Sequence, residues 1–97
     1  MPTYITLAKW TQKGIENIRE SPARLDAFKK LVKSLGGTVK GFYMVSGHYD
    51  MVLITEAPDD AALAKIALAT ASKGSVTTET LHAFTEEEFR KIIAALP

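Results

Sequence analysis

The chain has 97 residues, 46% hydrophobic and 24% charged, with no cysteine and a formal net charge of +1. That composition excludes disordered, collagen-like and low-complexity classes, and without cysteine there is neither a disulfide framework nor a thiolate metal site. The near-neutral balance lacks the basic excess of a nucleic-acid binder, no apolar run reaches the roughly 18 residues that cross a bilayer, and Met1-Pro2-Thr3-Tyr4 carries no targeting pattern. A single cytoplasmic domain over residues 1–97 is expected, with neither nucleic acid nor membrane as partner.

Charge is uneven, at +5 over residues 1–49 and −4 over residues 50–97. This asymmetry suits one half packing beside the other in a symmetric oligomer.

Tyr4-Ile-Thr-Leu-Ala-Lys-Trp10 alternates, which predicts a first strand with Ile5 and Leu7 on one face and Tyr4, Thr6, Ala8 and Trp10 on the other. Thr11 and Gly14 open a short irregular or helical stretch. Ser21-Pro22 reads as an N-cap followed by proline at the first helical position. The helix that follows repeats Leu25, Phe28, Leu31, Val32 and Leu35 at helical spacing and stops at Gly36-Gly37. Thr38 to Ser46 and Asp50 to Ala57 read as a hairpin joined by Gly47-His48-Tyr49. Pro58-Asp59-Asp60 starts an alanine-rich helix that ends near Lys73-Gly74, and Ser75 to Phe84 is a fourth strand. Thr85-Glu86-Glu87-Glu88 has the capping-box pattern, predicting a last helix over 86–96 with Phe89, Ile92, Ile93 and Leu96 as its apolar stripe.

The order β-α-β-β-α-β with an appended helix is the split, ferredoxin-like α+β arrangement, with both main helices on one sheet face. The other face is expected to be apolar as well, since Tyr4, Trp10, Met51 or Val52, Phe42 or Tyr43, and Leu53 or Ile54 supply apolar side chains to both sides. An open patch of that kind marks an interface or a ligand groove. Pairing two such faces would close a dimeric α+β barrel, so the first expected partner is a second copy of the chain.

Gly47-His48-Tyr49-Asp50, followed by Met-Val-Leu-Ile-Thr-Glu-Ala-Pro-Asp-Asp, resembles the signature of the GYD-domain family. Agreement extends from Tyr4-Ile-Thr-Leu through Ser34-Leu-Gly-Gly and Thr78-Glu-Thr-Leu to Phe84-Thr-Glu, nearly the whole chain. The resemblance implies a dimeric α+β barrel related to small cofactor-free monooxygenases, amino-acid-sensing domains and haem-handling proteins. It implies no established activity.

The loop admits two readings. Structurally, Gly47 permits a positive φ and Asp50 accepts backbone hydrogen bonds that pin the hairpin, with Tyr49 packed as an anchor. Chemically, His48, Tyr49 and Asp50 would project into a cavity as proton donor, hydrogen-bond donor and base. Tyr4, Trp10, Tyr43 and His82 are the candidate ligand-binding residues, Glu56 and Glu79 rim charges or an acid–base pair. His48 and His82 are the only histidines and form no metal-ligand pattern, so no metal and no cofactor are expected. These residues predict a homo-oligomeric module that binds a small apolar ligand or serves a structural role. The alternatives are a small cofactor-independent enzyme of the monooxygenase or isomerase type and, third, haem binding through His48 or His82.

Overall fold

The computed structural model describes residues 1–97. Strands β1 (Thr3–Trp10), β2 (Thr38–Met44), β3 (Met51–Glu56) and β4 (Val76–Ala83) form one antiparallel sheet in the order β2-β3-β1-β4. Between and after them run α1 (Gln12–Glu16), a 3-10 turn (Ile18–Glu20), α2 (Ser21–Ser34), α3 (Asp60–Ala71) and α4 (Glu86–Ala94). This is the ferredoxin-like α+β order with an added C-terminal helix, as the sequence pattern predicts.

The alternation of β1 divides the sheet into two faces. Tyr4, Thr6 and Ala8 are buried, opposite Thr55, Leu53 and Met51 on β3 and His82, Thr80 and Thr78 on β4. Over this face lie α2 and α3. Leu25 and Phe28 of α2 pack on Ala8, Met51 and Leu53 together with Trp10, Phe42 and Val76, while Val32 and Ile66 are the fully buried helix residues. On β2 the register slips between Val39 and Gly41, a bulge that admits Lys40 as an extra residue.

On the opposite face, Ile5 stands across from Ile54 and Leu81, and Leu7 across from Val52 and Glu79. Tyr43 adjoins Val52. None of these apolar residues is buried, and Leu81 and Tyr43 are 45% and 60% exposed.

Helix starts follow local chemistry with one exception. Asp59 caps α3 by accepting from the Ala62 amide, and Thr85 with Glu88 forms the full capping box of α4. Ser21, expected as the N-cap of α2, lies inside the helix instead. The 3-10 turn runs directly into α2, Glu20 holds the cap position without a side-chain bond, and Ser21 Oγ accepts from Trp10 Nε1 at 3.2 Å. The half-buried indole N–H needs a partner, and that demand claims the serine hydroxyl.

Alone among the helices, α4 leaves its apolar stripe bare. Phe89, Ile92 and Ile93 are all exposed, as is Leu96, which lies just past the helix because α4 stops at Ala94 rather than at residue 96. Its wet side is satisfied by Arg90–Glu86 and Lys91–Glu87 pairs at 2.8 and 3.4 Å. The molecule is accordingly long, 52 × 31 × 18 Å, with a radius of gyration of 14.6 Å. A compact chain of this length would have about 12.5 Å.

Candidate functional site

The hairpin loop is fastened to the end of β1. The Val45 amide donates to the Asp50 carbonyl at 2.8 Å, closing the loop, and the Asp50 amide donates to the Ala8 carbonyl at 2.9 Å. Asp50 Oδ2 then accepts from the Trp10 amide at 3.1 Å. Gly47 has φ +131, a conformation open to glycine and strained for other residues. Tyr49 reaches across to β4, where its hydroxyl donates to Glu79 Oε1 at 3.0 Å. That hydrogen bond, followed by desolvation and the carboxylate charge, holds the phenol above its ordinary pKa. His48 is exposed and meets the Tyr49 ring edge-on at 4.9 Å.

The remaining candidates lie elsewhere. Tyr4 is buried on the helix-covered face and donates to Asp60 Oδ1 at 2.5 Å, which ties β1 to the first turn of α3. This bond, with burial and the Asp60 charge behind it, pushes the Tyr4 phenol up to about 12. Its ring is tilted against His82 at 5.0 Å, and His82 in turn stacks on Phe84 at 5.0 Å. Trp10, six residues further along β1, is about 20 Å from Tyr4 at strand spacing. Tyr43 lies on the open face. Glu56 is opposite Thr3 and Glu79 opposite Leu7, a separation of about 13 Å along β1, so they form no pair. Glu56 instead faces Lys40 at 3.8 Å.

One feature has no counterpart among the sequence-predicted residues. Between the sheet and α2 lies a cavity of about 90 Å³, floored by Ala8, Met51 and Leu53 and walled by Leu25, Phe28 and Phe42. Sharing Thr6, Phe28, Thr70 and Thr78 with it is an inner cavity of about 20 Å³ that reaches Thr55, Ile66 and Thr80. Threonines at buried-face positions of three strands are the signal for it: Thr6 shares the Tyr4 face by alternation, and a hydroxyl inside a core is unusual enough to ask after. Neither cavity is lined by His48, Tyr49 or Asp50.

The family model for the GYD domain matches residues 4–93. The chain belongs to the GYD-domain family. This GYD domain is 40% identical over 84 residues to a Thermus thermophilus protein named "Glutamine synthetase and cystathionine beta-lyase binding protein", an alignment covering 86% of this chain and 88% of that one. Among solved structures it is similar to a chain from Thermus thermophilus, with TM-score 0.56 and 26% identity over 88% of this chain and 95% of the other. The fold also matches a feast or famine regulatory protein of M. tuberculosis complexed with L-methionine, with TM-score 0.67 and 16% identity over 88% of this chain and 51% of that one.

Gly47, Tyr49 and Asp50 of this GYD domain act on the backbone and on neighbouring strands. Gly47 turns the loop, Asp50 holds the β1 amide and Tyr49 bridges to β4. A phenol whose pKa is raised and whose proton is already donated to Glu79 is poorly matched to acid–base transfer near neutral pH. The arrangement fixes the geometry of the sheet edge where the open face ends.

Proposed function

We propose that this GYD domain is a non-catalytic binding module that pairs with a second copy through its open sheet face and, so assembled, docks on partner enzymes. The observation carrying this reading is the row of Ile5, Leu7, Val52, Ile54 and Leu81, which no element of the chain buries. Isologous pairing of that face is the commonest way a small chain covers such an area. Four strands of 8, 7, 6 and 8 residues offer a footprint of about 19 by 23 Å. That is well short of the roughly 800 Å² per partner of a stable interface. The bare stripe of α4 supplies the missing area, either against the second copy or against an enzyme. In this reading the chain works in the cytoplasm.

The relative named for binding glutamine synthetase and cystathionine β-lyase supports enzymes as the partners. The test uses purified protein with these two enzymes from the same host in sedimentation velocity runs. Wild type is expected to sediment as a dimer or larger at micromolar concentration and to co-sediment with at least one enzyme. Ile54→Lys, placing a charge at the centre of the open face, is expected to give a monomer, and the double variant Phe89→Glu/Ile92→Glu to weaken enzyme binding at least tenfold. A monomeric wild type removes the pairing, and a wild type that co-sediments with neither enzyme removes them as partners.

A further inference from the structure

We propose that β4 is a second self-association surface of this GYD domain, at which two copies pair edge to edge, antiparallel about Thr80, and each lays its α4 beside the other's Lys13 and Lys73. This goes beyond the docking role and does not rest on pairing of the open faces, since the edge of the sheet is a different surface from its face.

The two edges of the sheet are built differently. In β2 the register slip at Lys40 puts a bulge and a lysine on the edge, two devices that keep foreign strands away. β4 has neither. Val76–Ala83 pairs with β1 residue for residue over its whole length, without a bulge, a proline or a lysine. The Thr11 amide donates to the Ser75 carbonyl at 3.0 Å, and antiparallel pairs alternate, so Thr77, Glu79, Leu81 and Ala83 turn their backbone groups to β1. The far side of β1 agrees, since Pro2 and Ala8 offer their carbonyls to the Ala57 and Asp50 amides. Val76, Thr78, Thr80 and His82 therefore point their amides and carbonyls outward, where no other strand of the chain lies.

A row of alternating free donors and acceptors is matched by another extended strand. The residues of β4 favour its own copy. Two two-fold registers use nearly the full strand, centred on Glu79 or on Thr80. The first sets the two Glu79 side chains directly opposite, a like-charge pair. The second sets Thr80 against Thr80, Thr78 against His82 and Glu79 against Leu81, and closes about six main-chain hydrogen bonds. It also carries the end of one strand past the start of the other. Val76 then lies across from the second copy's Phe84, so the acidic first turn of the incoming α4, Glu86 to Glu88, arrives at the end that holds Lys73 and Lys13. These lysines adjoin, with Lys13 Nζ donating to the Lys73 carbonyl at 3.0 Å, and neither has a carboxylate partner within the chain. Two unpaired cations at the receiving end and three carboxylates on the arriving helix are complementary, a match that a strand of unrelated sequence would lack.

An edge contact buries little area and belongs with weak interfaces, so it is expected to be populated at about 1 mM and sparse at about 50 µM. Amide hydrogen exchange is followed by NMR at both concentrations, in the wild type and in Ile54→Lys, whose open face carries a charge. In both proteins the Thr78, Thr80 and His82 amides are expected to exchange about fivefold or more slower at the higher concentration, while Thr77, Glu79 and Leu81 stay protected at both. Thr78→Pro removes an outward amide and no bond to β1, so it should keep the fold and abolish the concentration dependence at Thr80 and His82. Lys73→Glu should cut the slowing to less than about twofold. Edge amides that exchange equally fast at both concentrations overturn the proposal, whether or not the open faces pair, and this reading stands alone if the proline disrupts the strand. Slowing that survives Thr78→Pro, or that is lost in Ile54→Lys and so traced to the open face, overturns it too. Protection that appears only on adding a partner enzyme gives the edge to that enzyme and overturns self-pairing, and slowing untouched by Lys73→Glu overturns the arm contact.

Discussion

Removing one oxygen tests how β1 is locked to α3. Tyr4 is 2% exposed, and its hydroxyl donates to Asp60 Oδ1 at 2.5 Å across 56 residues of sequence. Tyr4→Phe leaves the ring on His82 and deletes only that bond. Hydrogen bonds to charged groups contribute about 1.5–3 kcal/mol. Asp60 is exposed and regains water when its partner goes, so the lower end applies, about 1.5 kcal/mol, or a fall of roughly 6–12 °C in Tm for a domain of this size. The effect also has a pH signature. The phenol titrates at about 12 in the folded chain against 10.0 for the free group. A raised pKa means that the bond contributes fully below pH 10 and is lost as pH rises through 12. Urea denaturation of both proteins between pH 8 and 12 should therefore show a gap that is constant up to about pH 10 and narrows from there to pH 12. No gap at pH 8, or the same gap at pH 12, would refute the clamp.

Two further perturbations separate backbone roles from chemical ones. Asp50→Asn keeps a carbonyl acceptor for the Trp10 amide and should cost about 1 kcal/mol or less by urea denaturation, whereas Asp50→Ala orphans that amide and should cost about 1–2 kcal/mol. A larger loss for asparagine than for alanine would show that the carboxylate does something other than accept that bond. Gly14→Ala would bring a Cβ to 2.1 Å from the Ser75 carbonyl oxygen, forcing α1 away from the start of β4. It should cost on the order of 2–4 kcal/mol, against about 1 kcal/mol for Gly47→Ala, where φ is positive but space is open. Similar losses at the two glycines in thermal melts would contradict the close approach.

What can be read from the chain without coordinates is whatever depends on neighbours within a turn or two. The alternation of Tyr4 to Trp10 places Tyr4, Thr6 and Ala8 on one face, and Thr85 to Glu88 announces its own reciprocal cap. Ser21 escapes that logic because its partner, the Trp10 indole, lies on another element, and a serine before a proline looks the same whether it caps or accepts. The aromatic candidates fail to converge for a similar reason. Side-chain type marks Tyr4, Trp10, Tyr43 and His82 as able to bind, yet only the register shows that Tyr43 and Tyr4 sit on opposite faces. Tyr49 finds Glu79 from 30 residues away, and a cavity is a property of several elements at once. No periodicity encodes either one.

The isolation of α4 bears on how tightly any docking can hold. A nine-residue helix is marginal in water even when capped, since most helical stability in proteins comes from packing. Its capping box and its two lateral ion pairs stabilise it by tenths of a kcal/mol to about one each. None of these lies on the apolar stripe. Whatever covers Phe89, Ile92, Ile93 and Leu96 must therefore supply the helix with its tertiary support at the same moment, and part of the contact energy is spent on ordering it. Such an arm favours fast, reversible attachment, and in the pairing proposed above two arms would grip together far better than either does alone.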